Sequence, residues 1–267
     1  MEPCFAFVGG DRRMEYAQEL LGARGYSITE LADPKATHLV LPWPALESPG
    51  RILHGPTVNE VLLYAGGKTI LAGSLGIPGE YLFHKAAKIL DYASDEALLA
   101  GNAEITAEGA LALAMERLPV ALARCPVLVV GWGRIGQLLA RKLAALGAHV
   151  TVSARKARDL GLIEALGFQS EETTRYCHGL SGYRVIFNTV PAQTFSSEQS
   201  AQIPARCLYV ELASTPGLDP QALPPEQFLS GQALPGKYAP ETAGILLGKA
   251  ILRLVRQEEA RKEAFRT

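Results

Sequence analysis

Gly131, Gly133 and Gly136, in Gly131-Trp132-Gly133-Arg134-Ile135-Gly136, have the spacing of a backbone that must approach a pyrophosphate. The first glycine permits a tight strand-to-helix turn. The second lets the main chain come close to phosphate, and the third lets helix and strand pack closely. Free N–H groups of the following helix, beginning at Arg134 and Ile135, would hold the negative charge. Three glycines in a glycine-rich chain can fall at these positions by chance, so the surroundings carry the weight. The apolar run Val127-Leu128-Val129-Val130 precedes them, a helix-like segment runs on to Gly147, and a second apolar run, His149-Val150-Thr151-Val152, follows. Strand, turn, helix and strand at these distances make a dinucleotide-binding unit.

The end of the second run bears on which dinucleotide. About 20 residues beyond the glycines, NAD-binding domains usually carry Asp or Glu for the ribose 2′-hydroxyl. Here the chain reads Ser153-Ala154-Arg155-Lys156. A carboxylate would repel a 2′-phosphate, whereas Ser153, Arg155 and Lys156 would favour one. The expected cofactor is NADP, with NAD possible.

In a doubly wound sheet, ligands bind beyond the carboxyl ends of the strands. Besides the Gly131–Gly136 turn, that rule selects three loops: Gly9-Gly10-Asp11-Arg12-Arg13, Asn188-Thr189-Val190-Pro191-Ala192 and Ala213-Ser214-Thr215-Pro216-Gly217. Thr189, Val190, Pro191, Ala213 and Ser214 follow late strands, where the nicotinamide end should lie. Ordinary turn chemistry also explains Pro, Gly and Ser there, and position alone favours a site. Asp11, Arg12 and Arg13 sit where the N-terminal crevice should open. A guanidinium offers paired donors to a carboxylate, while a solvated first helical turn is disfavoured for cations by the helix dipole. Lys237, in the Pro- and Gly-rich stretch 234–244, is expected on a loop that either closes over substrate or simply connects. Asn102, Thr106 and Glu108 are expected at the start of a long helix over Ile105–Leu122. Thr106 is a candidate substrate contact and Glu108 the candidate general base, although Glu in a first turn also complements the dipole. His38, His54, His84, His149 and His178 show no ligand spacing, and no metal is expected.

These residues need a scaffold that alternates strands and helices. Phe5–Val8, Tyr26–Leu31, His38–Leu41 and Thr69–Ala72 read as strands, Arg13–Gly25 as a helix stopped by Gly25. Thr57–Ala65 reads as a helix with a Thr57/Glu60 capping box. Later strands are Arg184–Asn188 and Cys207–Leu212, and Ala239–Arg266 forms the final helix. The fold class is α/β: two Rossmann-like parallel-sheet domains joined by long helices, with a cleft between them. The expected boundaries are 1–103 for an N-terminal substrate-side domain and 104–236 for a Rossmann NAD(P)-binding domain, its connecting helix at 104–122. Residues 237–267 are expected to return to the first domain.

A chain of 267 residues with 48% hydrophobic content is long enough for two modest domains or one large one. A formal net charge of −1 provides no long-range field toward nucleic acid or an anionic membrane. Cys4, Cys125, Cys177 and Cys207 form no C-x-x-C pair and read as thiols in a reducing compartment. The N-terminus shows no basic stretch followed by an apolar signal segment. Glu108, Glu116, Arg117 and Arg124 interrupt the longest apolar stretch. A cytoplasmic location is expected.

Taken together, Gly9 to Arg13, Thr106-Ala107-Glu108-Gly109-Ala110, Gly131 to Gly136, Ser153 to Lys156, Phe187 to Ala192, Glu211 to Gly217, Leu234-Pro235-Gly236-Lys237, Ala239-Pro240 and Thr242-Ala243-Gly244 resemble the A subunits of dipicolinate synthases. The Rossmann part is shared with many dehydrogenases; the Leu-Pro-Gly-Lys element is more specific. Residues 35–100 resemble the family less, and Glu211 stands where the family more often shows Asp. The resemblance implies oxidation of a dihydrodipicolinate-type ring to pyridine-2,6-dicarboxylate in spore formation, with NAD(P)+ as hydride acceptor. It further implies a flavoprotein-like B subunit as partner, and a homo-oligomer is expected as well. One alternative is a D-2-hydroxyacid dehydrogenase-like enzyme. That chemistry wants a late His–carboxylate base, and no histidine lies beyond His178. Another is a non-catalytic NADP-binding subunit of a two-subunit enzyme.

Overall fold

A computed structural model describes residues 2–48, 50–75, 83–176 and 179–264. The chain divides into two compact units, Met1–Asn102 with Ala239–Thr267, and Ala103–Tyr238.

The first unit is built on β1 (Cys4–Phe7), β2 (Ser27–Thr29), β3 (His38–Val40), β6 (Thr69–Ala72) and β7 (Lys88–Asp91). They form a parallel sheet in the order β2-β1-β3-β6-β7, while β4 (Leu46–Ser48) and β5 (Arg51–Ile52) make a separate antiparallel ribbon. All four residues of β6 are buried, as expected of an inner parallel strand covered on both faces. Helix α1 (Arg12–Ala23) starts at Asp11, whose side chain accepts the Arg13 N–H. Helix α2 (Val58–Ala65) carries the expected capping box, with Thr57 and Glu60 each satisfying the other's backbone N–H. The last helix, α8 (Pro240–Ala264), returns to pack on α1 through Ala250, Ile251 and Val255 against Met14, Ala17 and Leu21. Small residues let the two backbones close up. A Cβ on Gly244 would stand 2.5 Å from the Arg13 carbonyl oxygen, and one on Gly248 2.8 Å from Leu20 Cδ2.

The second unit holds β8 (Pro126–Val130), β9 (His149–Ala154), β10 (Gln169–Glu172), β11 (Val185–Asn188), β12 (Leu208–Glu211) and β13 (Phe228–Ser230). Their order, β10-β9-β8-β11-β12-β13, is all parallel and reverses direction between β8 and β11. That is the doubly wound 3-2-1-4-5-6 order with its switch point at β8. Alternate residues serve opposite faces of the sheet. Val127, Val129, Val152 and Phe187 pack with Leu139 and Leu143 of helix α4 (Arg134–Ala145), whereas Leu128, Val130, Ile186 and Tyr209 pack on the other side with Phe195.

Several expectations are corrected. The long helix, α3, is Glu96–Met115, nine residues ahead of the expected Ile105 start. Asp95 sets the start: its Oδ1 accepts the Leu98 N–H at 2.7 Å. The helix ends well before Pro119, because the residue preceding a proline is disfavoured in helical conformation. The stretch 234–244 is no open loop. It forms α7 (Leu234–Tyr238) and runs into α8 after Ala239. Helices α5 (Ala157–Ala165) and α6 (Ser197–Ser200) and strands β7, β10 and β13 were not expected. Cys125 and Cys207 are buried free thiols, and burial pushes Cys207 up to about 12. Cys177, His178 and the end of the expected last helix lie outside the described residues. Among the described residues no helix is long and apolar enough to cross a membrane.

Gly244→Ala is expected to wedge α1 and α8 apart and lower stability by about 1–3 kcal/mol. Chemical denaturation checks it, and a midpoint equal to that of the parent chain would contradict the close helix contact.

Candidate functional site

The turn after β8 is shaped by steric necessity. Gly131 has φ +103°, a region that side chains rarely adopt. A Cβ there would also stand 2.6 Å from Thr189 Oγ1 and 2.7 Å from Val190 Cγ2. A Cβ on Gly136 would collide with the Gly131 carbonyl oxygen. These two glycines therefore let the turn, the helix and the β11 loop occupy the same small volume. Gly133 differs. It is the residue before α4, no side chain caps the helix there, and a Cβ on it would meet nothing within 4 Å. The α4 start thus carries no side-chain cap, and the Gly133 in front of it is exposed. That is the shape and charge that a pyrophosphate requires, and it lies at the switch point of the sheet.

The end of β9 is sorted differently from the sequence expectation. Ser153 is fully buried, and its Oγ accepts the Thr173 hydroxyl at 3.0 Å. It is one residue short of the strand end and points into the sheet's own packing, so it is not a ligand-facing group. Arg155 and Lys156 lie just past the strand and are exposed, before the uncapped start of α5. Both cations therefore stand beside a helix start, and β9 itself ends without a carboxylate.

Beyond β11 and β12, two loops are tied into one body. The Thr189 hydroxyl donates to the Val130 carbonyl at 2.8 Å, joining the β11 loop to the glycine turn. Asn188 exchanges bonds with the backbone of Val190 and donates to Glu211 Oε1 at 2.8 Å. Glu211 also accepts the Ala213 and Gly217 N–H groups. Val190 is half-buried, Ala213 is buried, and Pro191 and Ser214 are exposed.

In the first unit, the three β1-loop candidates have unequal positions. Asp11 caps α1 and grips Arg13, with Nε donating to Oδ1 at 2.9 Å and to Oδ2 at 3.0 Å. Burial opposes ionisation of Asp11, but the contacts with Arg13 outweigh it and hold the carboxyl below its usual range. Arg13 Nη2 donates to the Trp43 carbonyl at 2.8 Å, and its side chain is only 12% exposed. Nη1 is left without a hydrogen bond among the described residues. The guanidinium borders a small cavity with Pro42, Trp43, Leu98, Asn102 and Leu247. Arg12, by contrast, is exposed and lies over its own helix neighbour Tyr16.

Thr106 and Glu108 are in the body of α3, not at its start. Thr106 is buried. Glu108 is largely exposed and bonds Lys142 at 2.8 Å. Lys142 stands in the last turn of α4, roughly 12 Å of helix rise beyond Arg134 and the glycine turn. This pairing fastens α3 to the end of α4 away from the glycine turn. Lys237 is exposed over the Tyr238 ring at 5.0 Å. Among the described residues no three His, Cys, Asp or Glu side chains are grouped for a metal.

No model of a protein family matches the chain. The dipicolinate synthase A subunit of Bacillus subtilis (strain 168) is 29% identical over 192 residues, 69% of this chain. The match spans 65% of that relative's length. A crystal structure of the dipicolinate synthase A chain from Bacillus subtilis superposes with a TM-score of 0.83, at 22% identity over 98% of both chains. This chain resembles the A subunit of dipicolinate synthase. A D-lactate dehydrogenase from Treponema pallidum shares the fold more distantly, with a TM-score of 0.67 at 15% identity over 97% of both chains. Two parallel α/β sheets are thus common to dipicolinate synthase A chains and D-2-hydroxyacid dehydrogenases.

Sequence reasoning singled out Glu211 as a departure from the dipicolinate synthase pattern and missed its place at the centre of the β11–β12 loops. The signal was present: an acidic residue ending an otherwise apolar strand must find donors.

Gly133→Ala places a methyl in the open space above α4 with φ −82°, which any residue adopts. Its unfolding free energy is expected to stay within about 1 kcal/mol of the parent, with dinucleotide binding lost. Gly136→Ala is expected to cost about 1–3 kcal/mol or more. Equal denaturation midpoints for the two variants would refute this assignment of roles.

Proposed function

We propose that the chain is the nicotinamide-dinucleotide-binding subunit of a dipicolinate-forming oxidoreductase. In this reading it oxidises a dihydrodipicolinate-type ring to pyridine-2,6-dicarboxylate with NADP+, together with a second, flavoprotein-like subunit. The observation that carries the proposal is the uncapped start of α4 over Gly133, at the switch point of a 3-2-1-4-5-6 sheet. The likeness to dipicolinate synthase A chains supports the substrate class.

When bound, the dinucleotide supplies the hydride acceptor. The chain's own residues bind, orient and exclude water. The α4 N–H groups take the pyrophosphate, and Arg155 and Lys156 take the 2′-phosphate. Thr189, Val190, Pro191, Ala213 and Ser214 bound the nicotinamide end. Arg13, fixed on two sides by Asp11 and the Trp43 carbonyl, presents its remaining nitrogen to a carboxylate. Making an aromatic ring is strongly downhill, so alignment supplies most of what the reaction needs.

A second reading is a cofactor-binding subunit whose partner carries the chemistry. One observation favours it: Glu108, the candidate base, is exposed and held by Lys142. Turnover by the purified chain, compared with turnover after adding the partner subunit, separates the two.

Arg155→Ala is expected to weaken NADP+ binding about tenfold, the worth of one charge-assisted hydrogen bond, and to leave NAD+ binding unchanged. Calorimetric titration of both cofactors decides; parallel changes for the two would sink the 2′-phosphate assignment.

Arg13→Ala is expected to weaken dipicolinate binding about tenfold or more, and Arg12→Ala by less than about twofold, because an exposed cation contributes little. The reverse ranking, in variants with matched melting curves, would move the carboxylate contact to Arg12.

A further inference from the structure

Glu211 ends β12 and is only 2% exposed. Its Oε1 accepts Asn188 Nδ2 at 2.8 Å and the Ala213 N–H at 3.0 Å. Its Oε2 accepts the Gly217 N–H at 2.8 Å and the Tyr209 hydroxyl at 3.1 Å. Three of these four partners can only donate. A protonated carboxyl would have to turn its own proton toward one of them, so the cage fits the ionised acid. Burial pushes the carboxyl upward, and the four donors work against that push. The four closest partners, Asn188, Tyr209 and the Ala213 and Gly217 N–H groups, are all uncharged. The dipoles around Glu211 stabilise its charge without cancelling it.

The position of that charge matters. In a 3-2-1-4-5-6 sheet, the first three strands carry the adenosine half of a dinucleotide and the fourth and fifth carry the nicotinamide half. Here those are β11 and β12, which Asn188 and Glu211 terminate side by side. An oxidised nicotinamide ring bears a positive charge that the reduced ring lacks. We infer that Glu211 makes this chain bind the oxidised dinucleotide in preference to the reduced one, through a buried negative charge that only the oxidised ring feels. The inference rests on the proposed function of the second unit as a dinucleotide site. Its consequence is directional: the oxidant enters and its reduced product leaves.

Glu211 also ties the Ala213–Gly217 loop to the Asn188–Val190 loop. A residue acting only as that tie would affect both redox forms equally, whereas a charge changes their ratio. The experiment measures the dissociation constants of NADP+ and NADPH on the parent chain, Glu211→Gln and Glu211→Asp, by calorimetry and nicotinamide fluorescence. The parent is expected to bind NADP+ more tightly than NADPH. In Glu211→Gln that preference should fall about fivefold, as expected for loss of one charge across a partly screened distance. In Glu211→Asp, which keeps the charge, it should stay within about twofold of the parent. Parallel weakening of both forms in Glu211→Gln would overturn the inference and leave a structural tie. If Glu211→Gln does not fold, the parent still decides, because tighter binding of NADPH than of NADP+ contradicts the inference. Binding of neither form by the parent chain would instead overturn the dinucleotide reading itself.

Discussion

The second unit depends on a contact that has no room in it. Gly136 of α4 rests against the carbonyl oxygen of Gly131, and Gly131 rests against Thr189 and Val190. A helix and a turn meet backbone to backbone, and the Thr189 and Val190 side chains of the neighbouring loop close directly on the turn. Everything placed near the switch point follows from this. Helix α4 points its first turn at the strand ends, and the Thr189 hydroxyl reaches the Val130 carbonyl. The β11 loop is then close enough to be joined to the β12 loop by Asn188 and Glu211. A larger residue at either glycine would separate these parts before any ligand was involved.

The alternation of strands and helices was legible because inner parallel strands must be apolar on both faces. Val127 to Val130 and Val185 to Phe187 have that pattern, and both are buried strands. Strands β7 and β10 were not legible, because Lys88–Asp91 and Gln169–Glu172 are edge strands with polar residues. Helix α3 was misplaced for a related reason. Alanine-rich sequence gives little amphipathic signal, and the decisive residue, Asp95, was passed over as a cap. Once the start moved, Thr106 and Glu108 moved from a helix end to its middle.

Residue type alone could not rank the basic candidates. Arg12 and Arg13 are adjacent and chemically identical, yet one is exposed over Tyr16 and the other is held against Asp11 and Trp43. The difference is helical phase, about 100° between neighbours, set by where Asp11 caps α1. Ser153 shows the same effect in a strand. One residue from the end, it alternates inward to Thr173, while Arg155 and Lys156 are already clear of the sheet.

The tie between Asp95 and Arg253 reaches across most of the chain. Arg253 of α8 donates twice to the carboxylate that caps α3, at 2.6 and 2.7 Å. The first unit is therefore completed by a helix synthesised after the second unit, the whole of which lies between its two pieces. On a ribosome, the inserted unit can finish its sheet while the first still lacks the helix that covers α1. The first unit must wait with Met14, Ala17 and Leu21 uncovered until α8 emerges. Loss of the final helix would thus damage the half of the molecule that was made first, and spare the half made just before it.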